Sequence, residues 1–179
     1  MRKSLKKKTV SPPETRFRTA NHLATSGTES VSEFEASLTV VYNAFNRWMV
    51  QCITAAGYED FSPLEVLILH HIKHRNRAKS LAQIADTLNI RDLHTANYAI
   101  KKLLKRGLVA GEKAGKEMFY RTTEAGNAAC DKYAEIRQGC LLTTLQASNM
   151  DFEKLKQVAD IIGSLSGQYD QATRAASTL

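Results

Sequence analysis

Between Asp92 and Thr122 the hydrophobic period of the chain changes once, and it changes at a glycine. Ahead of Gly107, the residues Leu93, Ala96, Ile100 and Leu103 recur at three- and four-residue intervals, the spacing of one helical face. Asp92 suits the N-cap, and Gly107 supplies the left-handed residue that ends such a helix near Arg106. Beyond it, Leu108 to Lys113 and Glu117 to Thr122 read as two strands with Ala114-Gly115-Lys116 at the bend. The other elements have to be arranged around this amphipathic helix and the tight hairpin that follows it.

Upstream, Ser62-Pro63-Leu64-Glu65 is the clearest helix start: an N-cap serine, proline at the first helical position, and glutamate placed to bond back to the cap. This predicts a helix from Pro63 to about His74, then a basic, polar connection from Arg75 to Lys79. Ser80-Leu81-Ala82-Gln83 repeats the capping arrangement and opens a short helix to about Leu88, with Leu81, Ile84, Ala85 and Leu88 as its buried side. Asn89-Ile90-Arg91 makes the turn into the Asp92 helix, whose apolar face is expected to pack on Leu81, Ile84 and Leu69.

Long amphipathic segments flank this centre. A first helix is expected from near Ser30 or Ser32, each followed three residues later by glutamate, with Phe34, Leu38, Val41, Phe45, Trp48 and Cys52 as its stripe. Thr123 caps a fifth helix reaching about Ala147, interrupted or loosened near Gly139. Asn149 or Asp151 starts a sixth, striped by Leu155, Val158, Ile162, Leu165 and Tyr169, with Thr173 to Leu179 expected to fray.

Charge is distributed unevenly over the 179 residues: the blocks 1–27 and 73–121 carry +6 and +8, and the remainder carries −7. A chain that gathers positive charge on one segment and a tail is suited to meeting a polyanion with that part only. Residues 1–27 are rich in Lys, Ser, Thr and Pro and poor in large apolar residues, so they are read as a disordered basic tail. No apolar run follows the early lysines, and no stretch nears the roughly 18 residues of a membrane span, so the expectation is a cytoplasmic protein without a membrane partner.

Cys52, Cys130 and Cys140 lie too far apart for a zinc knuckle or a disulfide framework and read as reduced, mostly packed thiols. His70 and His74 share a helical face at a spacing that can hold a metal, but no Cys or acidic motif completes a ligand set, so no metal or cofactor is expected. Nothing resembles a nucleophile elbow, a phosphate loop or a paired-carboxylate site, so the chain reads as a non-enzyme.

A helix pair joined by a tight turn, followed by Gly-Leu and a basic-tipped hairpin, is the plan of a winged helix-turn-helix: mainly α, with a small β-hairpin wing. Such a unit suits double-stranded DNA, because a helix fits the roughly 12 Å major groove and the hairpin reaches phosphates or the minor groove beside it. His94, Thr95, Asn97, Tyr98, Lys101, Lys102 and Lys105 should face outward, the first four able to bond base edges and the lysines suited to phosphates. Lys113, Lys116 and Arg121 are the wing's candidates. The competing readings are a solvated helix face, a winged-helix module that binds a partner protein, and an architectural DNA binder without regulation.

The order of elements, the segment KKLLKRGLV, the hairpin after it and Thr123-Glu124-Ala125-Gly126 opening the next helix resemble the MarR family of regulators over about residues 30–170. The resemblance implies one domain over 28–179: a winged core at about 60–122 between dimerisation helices at about 30–56 and 123–172. It also implies a homodimer that reads a near-palindromic site. In many MarR-like proteins a phenolic or aromatic acid binds between the dimerisation helices and the reading head. Tyr42, Arg47, Trp48 and His71 are candidates for such a cleft, although an aromatic stripe at helical spacing is more often plain core. The sequence departs from the family at the recognition helix, where Arg91-Asp92-Leu93-His94-Thr95-Ala96-Asn97-Tyr98 replaces a Ser/Thr-rich start. The wing also lacks the usual Asp-Arg pair, and no cysteine stands near the start of the first helix, where the family's peroxide sensors carry one.

The tail generates a prediction. Deleting residues 1–27 is expected to leave the preferred DNA sequence unchanged, since the reading face is untouched. Affinity should fall and its dependence on salt should flatten, as up to six net positive charges no longer displace counterions. Duplex titrations across a salt series check this, and an unchanged slope would assign the tail no role in binding.

Overall fold

The computed structural model describes residues 27–179, so all but the last residue of the basic tail lies outside the described residues. Among the described residues the chain divides inside its first helix, after Gln51, into two units. The first unit holds most of α1 (Glu29–Ala55). This helix begins one residue ahead of the expected serine caps, and Ser32 is a buried position within it. Of its expected stripe, Phe34 and Leu38 are half-buried, whereas Val41 and Phe45 are exposed along with Val40 and Tyr42.

The second unit follows the expected order: α2 (Pro63–Lys73), α3 (Leu81–Thr87), α4 (Leu93–Lys105), β2 (Val109–Ala114), β3 (Glu117–Thr122) and α5 (Glu124–Arg137). The caps are made as the residue types dictate. Ser62 accepts from the Glu65 amide at 3.3 Å, Ser80 and Gln83 form a reciprocal box, and Thr123 accepts from the Gly126 amide at 3.1 Å. At the bend, Gly115 takes φ +63° as the first of two turn residues, Gly115 and Lys116.

A two-residue strand β1 (Lys79–Ser80) had no counterpart in the sequence reading. It pairs antiparallel with β3 through Lys79 to Tyr120 and Ser80 to Phe119, giving a three-stranded sheet in the order β1-β3-β2. The connection before it is a short 3-10 turn at His74–Asn76, where Arg75 and Asn76 both adopt positive φ. Lys79 explains how this tight path is held. Its side chain is only 3% exposed, and its ammonium donates to the carbonyls of Ile72 and His74 at 2.9 and 2.6 Å. A lysine thus closes the C-terminal end of α2, where unsatisfied carbonyls and the helix dipole favour a cation.

The core lies where α2 meets α4, α5 and β3, and it is built from Ile68, Leu69, Ile72, Ile84, Ile100, Leu103, Leu108 and Ala129. Each large side chain here contributes roughly 1.5–3 kcal/mol of burial. Cys130 is buried in the same layer and its thiol is pushed up to about 11 by burial. Cys52 is also buried, its thiol donating to the Tyr133 carbonyl at 3.5 Å, while Cys140 is exposed. Tyr133 in turn meets His70 edge-on at 4.4 Å, and burial lowers the proton affinity of that imidazole.

After α5 the expected loosening near Gly139 is a π-helical turn, Gln138–Leu142, that leads into α6 (Thr143–Ala147). Asn149 lies in the left-handed region at φ +55°, and Asp151 is the cap of α7 (Phe152–Ala176). That helix remains regular through Ala176, beyond the point at which fraying was expected. None of its residues is buried, and Leu155, Val158, Ile161 and Ile162 are exposed.

The entry to α5 leaves no room for a side chain at Gly126, where a Cβ would stand 2.0 Å from the Leu108 carbonyl oxygen. Gly126→Ala is therefore expected to force α5 off the base of the hairpin and to destabilise the fold by about 3 kcal/mol or more. Urea unfolding monitored by circular dichroism checks this. A midpoint equal to wild type would contradict the close packing.

Candidate nucleic-acid interface

The reading face is set by which side of α4 is buried. Ala96, Ala99, Ile100 and Leu103 pack inward against α2 and α3. Leu93, expected in that face, is 47% exposed, and Ala99 is buried instead. The reason is positional: side chains lean toward the N-terminus of their helix, so the first residue overhangs the edge of the layer beneath. Leu93 there borders a cavity of about 270 Å³ shared with Leu81, Met118 and Tyr120. Leu81 and Leu88, expected to be buried on α3, are only half-buried, whereas Ile84 and Ala85 are fully enclosed.

The exposed side of α4 carries His94, Thr95, Tyr98, Lys101 and Lys105, with Tyr98 64% exposed and Asn97 half-buried. Asp92 organises its start. One carboxylate oxygen accepts from the His94 amide at 2.8 Å, and the other accepts from the Thr95 hydroxyl at 2.6 Å. The Thr95 and His94 hydrogen bonds hold the Asp92 carboxyl below its usual range, so it is charged at neutral pH. The Thr95 hydroxyl is thereby engaged in the cap, with its acceptor lone pairs still directed outward.

The three lysines of α4 differ in their partners. Lys102 reaches back to Glu65 on α2 at 2.9 Å, and Glu65 is only 1% exposed. The same carboxylate oxygen accepts from the Ser62 hydroxyl at 3.0 Å, so the cap of α2 and helix α4 share one buried acid. Lys102 also lies 5.3 Å from the Tyr98 ring centroid, which couples this ion pair to the outer face. Lys101 and Lys105 make no ion pair among the described residues and remain available for phosphate. Arg106, absent from the expected set, anchors the end of α4. Its guanidinium donates to the carbonyls of Glu59 and Asp60 at 2.9 and 2.8 Å and lies 4.5 Å from the Phe61 ring centroid.

Register divides the wing's basic residues. Lys113 pairs with Met118 and lies on the hairpin face that carries Tyr120, while Arg121 pairs with Ala110 on the opposite face beside Glu112 and Glu117. Lys116, in the turn, is exposed at the tip. Lys113 and Lys116 thus sit together at the outer end, and Arg121 is nearer the base and pointed the other way. Among the ligand candidates, Tyr42, Arg47 and Trp48 lie on α1 in the first unit, Tyr42 and Arg47 exposed and Trp48 half-buried. His71, half-buried, lies on α2 in the second. No cluster of three or more metal-ligating side chains occurs among the described residues. No helix among them is long and apolar enough to cross a membrane.

The contrast between neighbouring lysines is testable. Lys102→Ala is expected to lower the urea midpoint because it leaves the Glu65 carboxylate buried without its cation. Lys101→Ala should leave the midpoint unchanged and reduce the salt slope of duplex binding by about one. Equal stability losses in the two variants would contradict the assigned partners.

Comparison with known proteins adds to this geometry. Residues 61–126 match the family model of a winged helix DNA-binding domain. The fold is similar to that of a MarR family regulator from Neisseria meningitidis, with TM-score 0.64 and 13% identity over 80% of this chain and 95% of that one. A mutant MarR from E. coli in complex with operator DNA aligns with TM-score 0.64 and 12% identity, covering 79% of this chain and 99% of that one. MarR from Staphylococcus aureus in complex with salicylate and kanamycin aligns with TM-score 0.62 and 14% identity over 79% and 93%. Comparison with curated protein sequences finds no match. Residues 61–126 are therefore similar to a winged helix DNA-binding domain, and the fold is that of the MarR-family structures.

Proposed function

We propose that this protein is a MarR-type transcriptional regulator that binds a near-palindromic duplex site as a homodimer, with α4 as its recognition helix and the β2–β3 hairpin as its wing. The observation that carries the reading is the two-sidedness of α4. Four consecutive inward positions, Ala96, Ala99, Ile100 and Leu103, are closed off, and the other side presents a polar front followed by free lysines. His94, Asn97 and Tyr98 are the base-edge candidates; Lys101, Lys105, Lys113 and Lys116 are the phosphate candidates. A protein-binding surface at this position would be more apolar at its centre. The E. coli MarR relative in complex with operator DNA supports the same assignment.

The homodimer is supported by the apolar surface each unit exposes. The 25-residue helix α7 buries none of its own residues, and a helix with an apolar stripe gains most of its stability from covering that stripe. The exposed Val40, Val41, Tyr42 and Phe45 of α1 make a second such surface. Two identical copies covering these faces present two recognition helices with two-fold symmetry, which a palindrome matches.

Selection of bound sequences from a random duplex pool tests both parts. An enriched inverted repeat is expected; an asymmetric site would remove the two-fold model, and no enrichment would remove sequence-specific reading. On the selected site, Asn97→Ala should relax preference at one base position and cost roughly 1–3 kcal/mol. Lys116→Ala should weaken all duplexes alike and lower the salt slope by about one. The same loss of specificity from both would show that front and wing are wrongly assigned.

A further inference from the structure

The elbow between α2 and β1 holds a second concentration of positive charge that is not part of the α4 face or the hairpin tip. His71, His74, Arg75, Arg77 and Lys79, with Gln83 of α3, border a cavity of about 240 Å³. No carboxylate lines it. Lys79 is a fixed charge at its inner wall, because its ammonium is held by backbone carbonyls and its side chain is buried. Arg75 and Arg77 are exposed and form no ion pair among the described residues. Several other basic groups in this unit are neutralised by acids: Lys73 by Asp131, Arg91 by Asp170, Lys102 by Glu65. The elbow gathers its cations around one cavity that no carboxylate lines.

We propose that this cavity is an oxyanion site that takes a phosphate group, with the two guanidinium groups as its clamp and Lys79 as its fixed inner charge. Guanidinium donors form paired hydrogen bonds to phosphate oxygens, and a concave, single-sign site focuses the field on an anion. The mutual repulsion within the cluster is consistent with this assignment. Burial lowers the proton affinity of Lys79 first, and Arg77 and Arg75 lower it further; burial, Lys79, His74 and Arg77 act likewise on His71. A bound oxyanion offsets that repulsion directly. The occupant is either a backbone phosphate of bound duplex or a free phosphate, and the two are separated by experiment.

The test uses the full chain and the double variant Arg75→Ala with Arg77→Ala, whose side chains are exposed, so the fold is expected to persist by circular dichroism. Inorganic phosphate is titrated into each at constant ionic strength, with chloride as control, and the histidine ring resonances are followed by NMR. In parallel, duplex binding is measured across a salt series. Phosphate-specific shifts of His71 and His74 that saturate in wild type and are lost in the variant support the site. A salt slope lowered by about one per arginine identifies the duplex backbone as occupant. An unchanged slope together with a lost phosphate response identifies a free phosphate. The proposal is overturned if the salt slope is unchanged and phosphate acts no differently from chloride, or acts equally on wild type and variant. The phosphate arm does not depend on the DNA-binding reading, so failure of one is distinguishable from failure of the other.

Discussion

Three elements meet on the two carbonyls of Gly107 and Leu108, and the geometry of the reading head follows from that meeting. The Thr123 hydroxyl donates to the Gly107 carbonyl at 2.6 Å, and the Thr123 amide donates to the Leu108 carbonyl at 3.0 Å. The first turn of α5 then passes so close to Leu108 that only glycine fits at position 126. Gly107 itself sits at φ +69°, which lets the end of α4 turn sharply into β2. The end of α4, the base of the hairpin and the start of α5 are thus locked within a few residues of one another. A change of angle between α4 and α5 would have to break this junction, so the angle at which the reading face is presented is a property of the backbone here.

Much of this junction was legible in the sequence because it is local. Asp92, Gly107, Gly115 and Thr123 act on their own neighbours within a few residues, and each adopts the cap or turn its chemistry favours. What was not legible depends on partners far along the chain. Strand β1 has two residues, too few to show a period, and exists because β3 offers an edge to pair with. Lys102 looked like its neighbours Lys101 and Lys105, and only Glu65, 37 positions away, distinguishes it. Lys113 and Arg121 are both basic and lie in one hairpin, and only the pairing register shows that they point to opposite faces.

Lysine illustrates how one side chain serves different ends according to what surrounds it. Lys79 is enclosed and closes a helix terminus through carbonyls, with burial lowering its proton affinity. Lys102 is half-exposed and neutralises a buried acid, whose hydrogen bond raises the proton affinity of its ammonium. Lys101, Lys105, Lys113 and Lys116 are exposed. Of these three groups only the last is placed to release counterions on meeting phosphates, which is why the overall net charge of +7 is a poor measure of the candidate interface.

The front of α4 raises a final question of electrostatics. A helix N-terminus ordinarily attracts anions, and a recognition helix entering a groove lined by phosphates could use that end to bind one. In this chain the end is already occupied. Asp92 holds the first amides, its carboxyl remains ionised, and the neighbouring Arg91 is paired with Asp170 of α7 at 2.7 Å. The tip of the helix therefore offers phosphate little attraction. Positive charge grows along α4 toward Lys101 and Lys105 and out to the hairpin tip, so on the proposed reading the field would orient the helix with its positive half against the backbone. Its front is left to approach the bases, where hydrogen-bond geometry rather than charge decides the fit. Under the proposed DNA-binding reading, that division leaves His94, Asn97 and Tyr98 as the base-edge candidates and reconciles an acidic cap with a helix that approaches a polyanion.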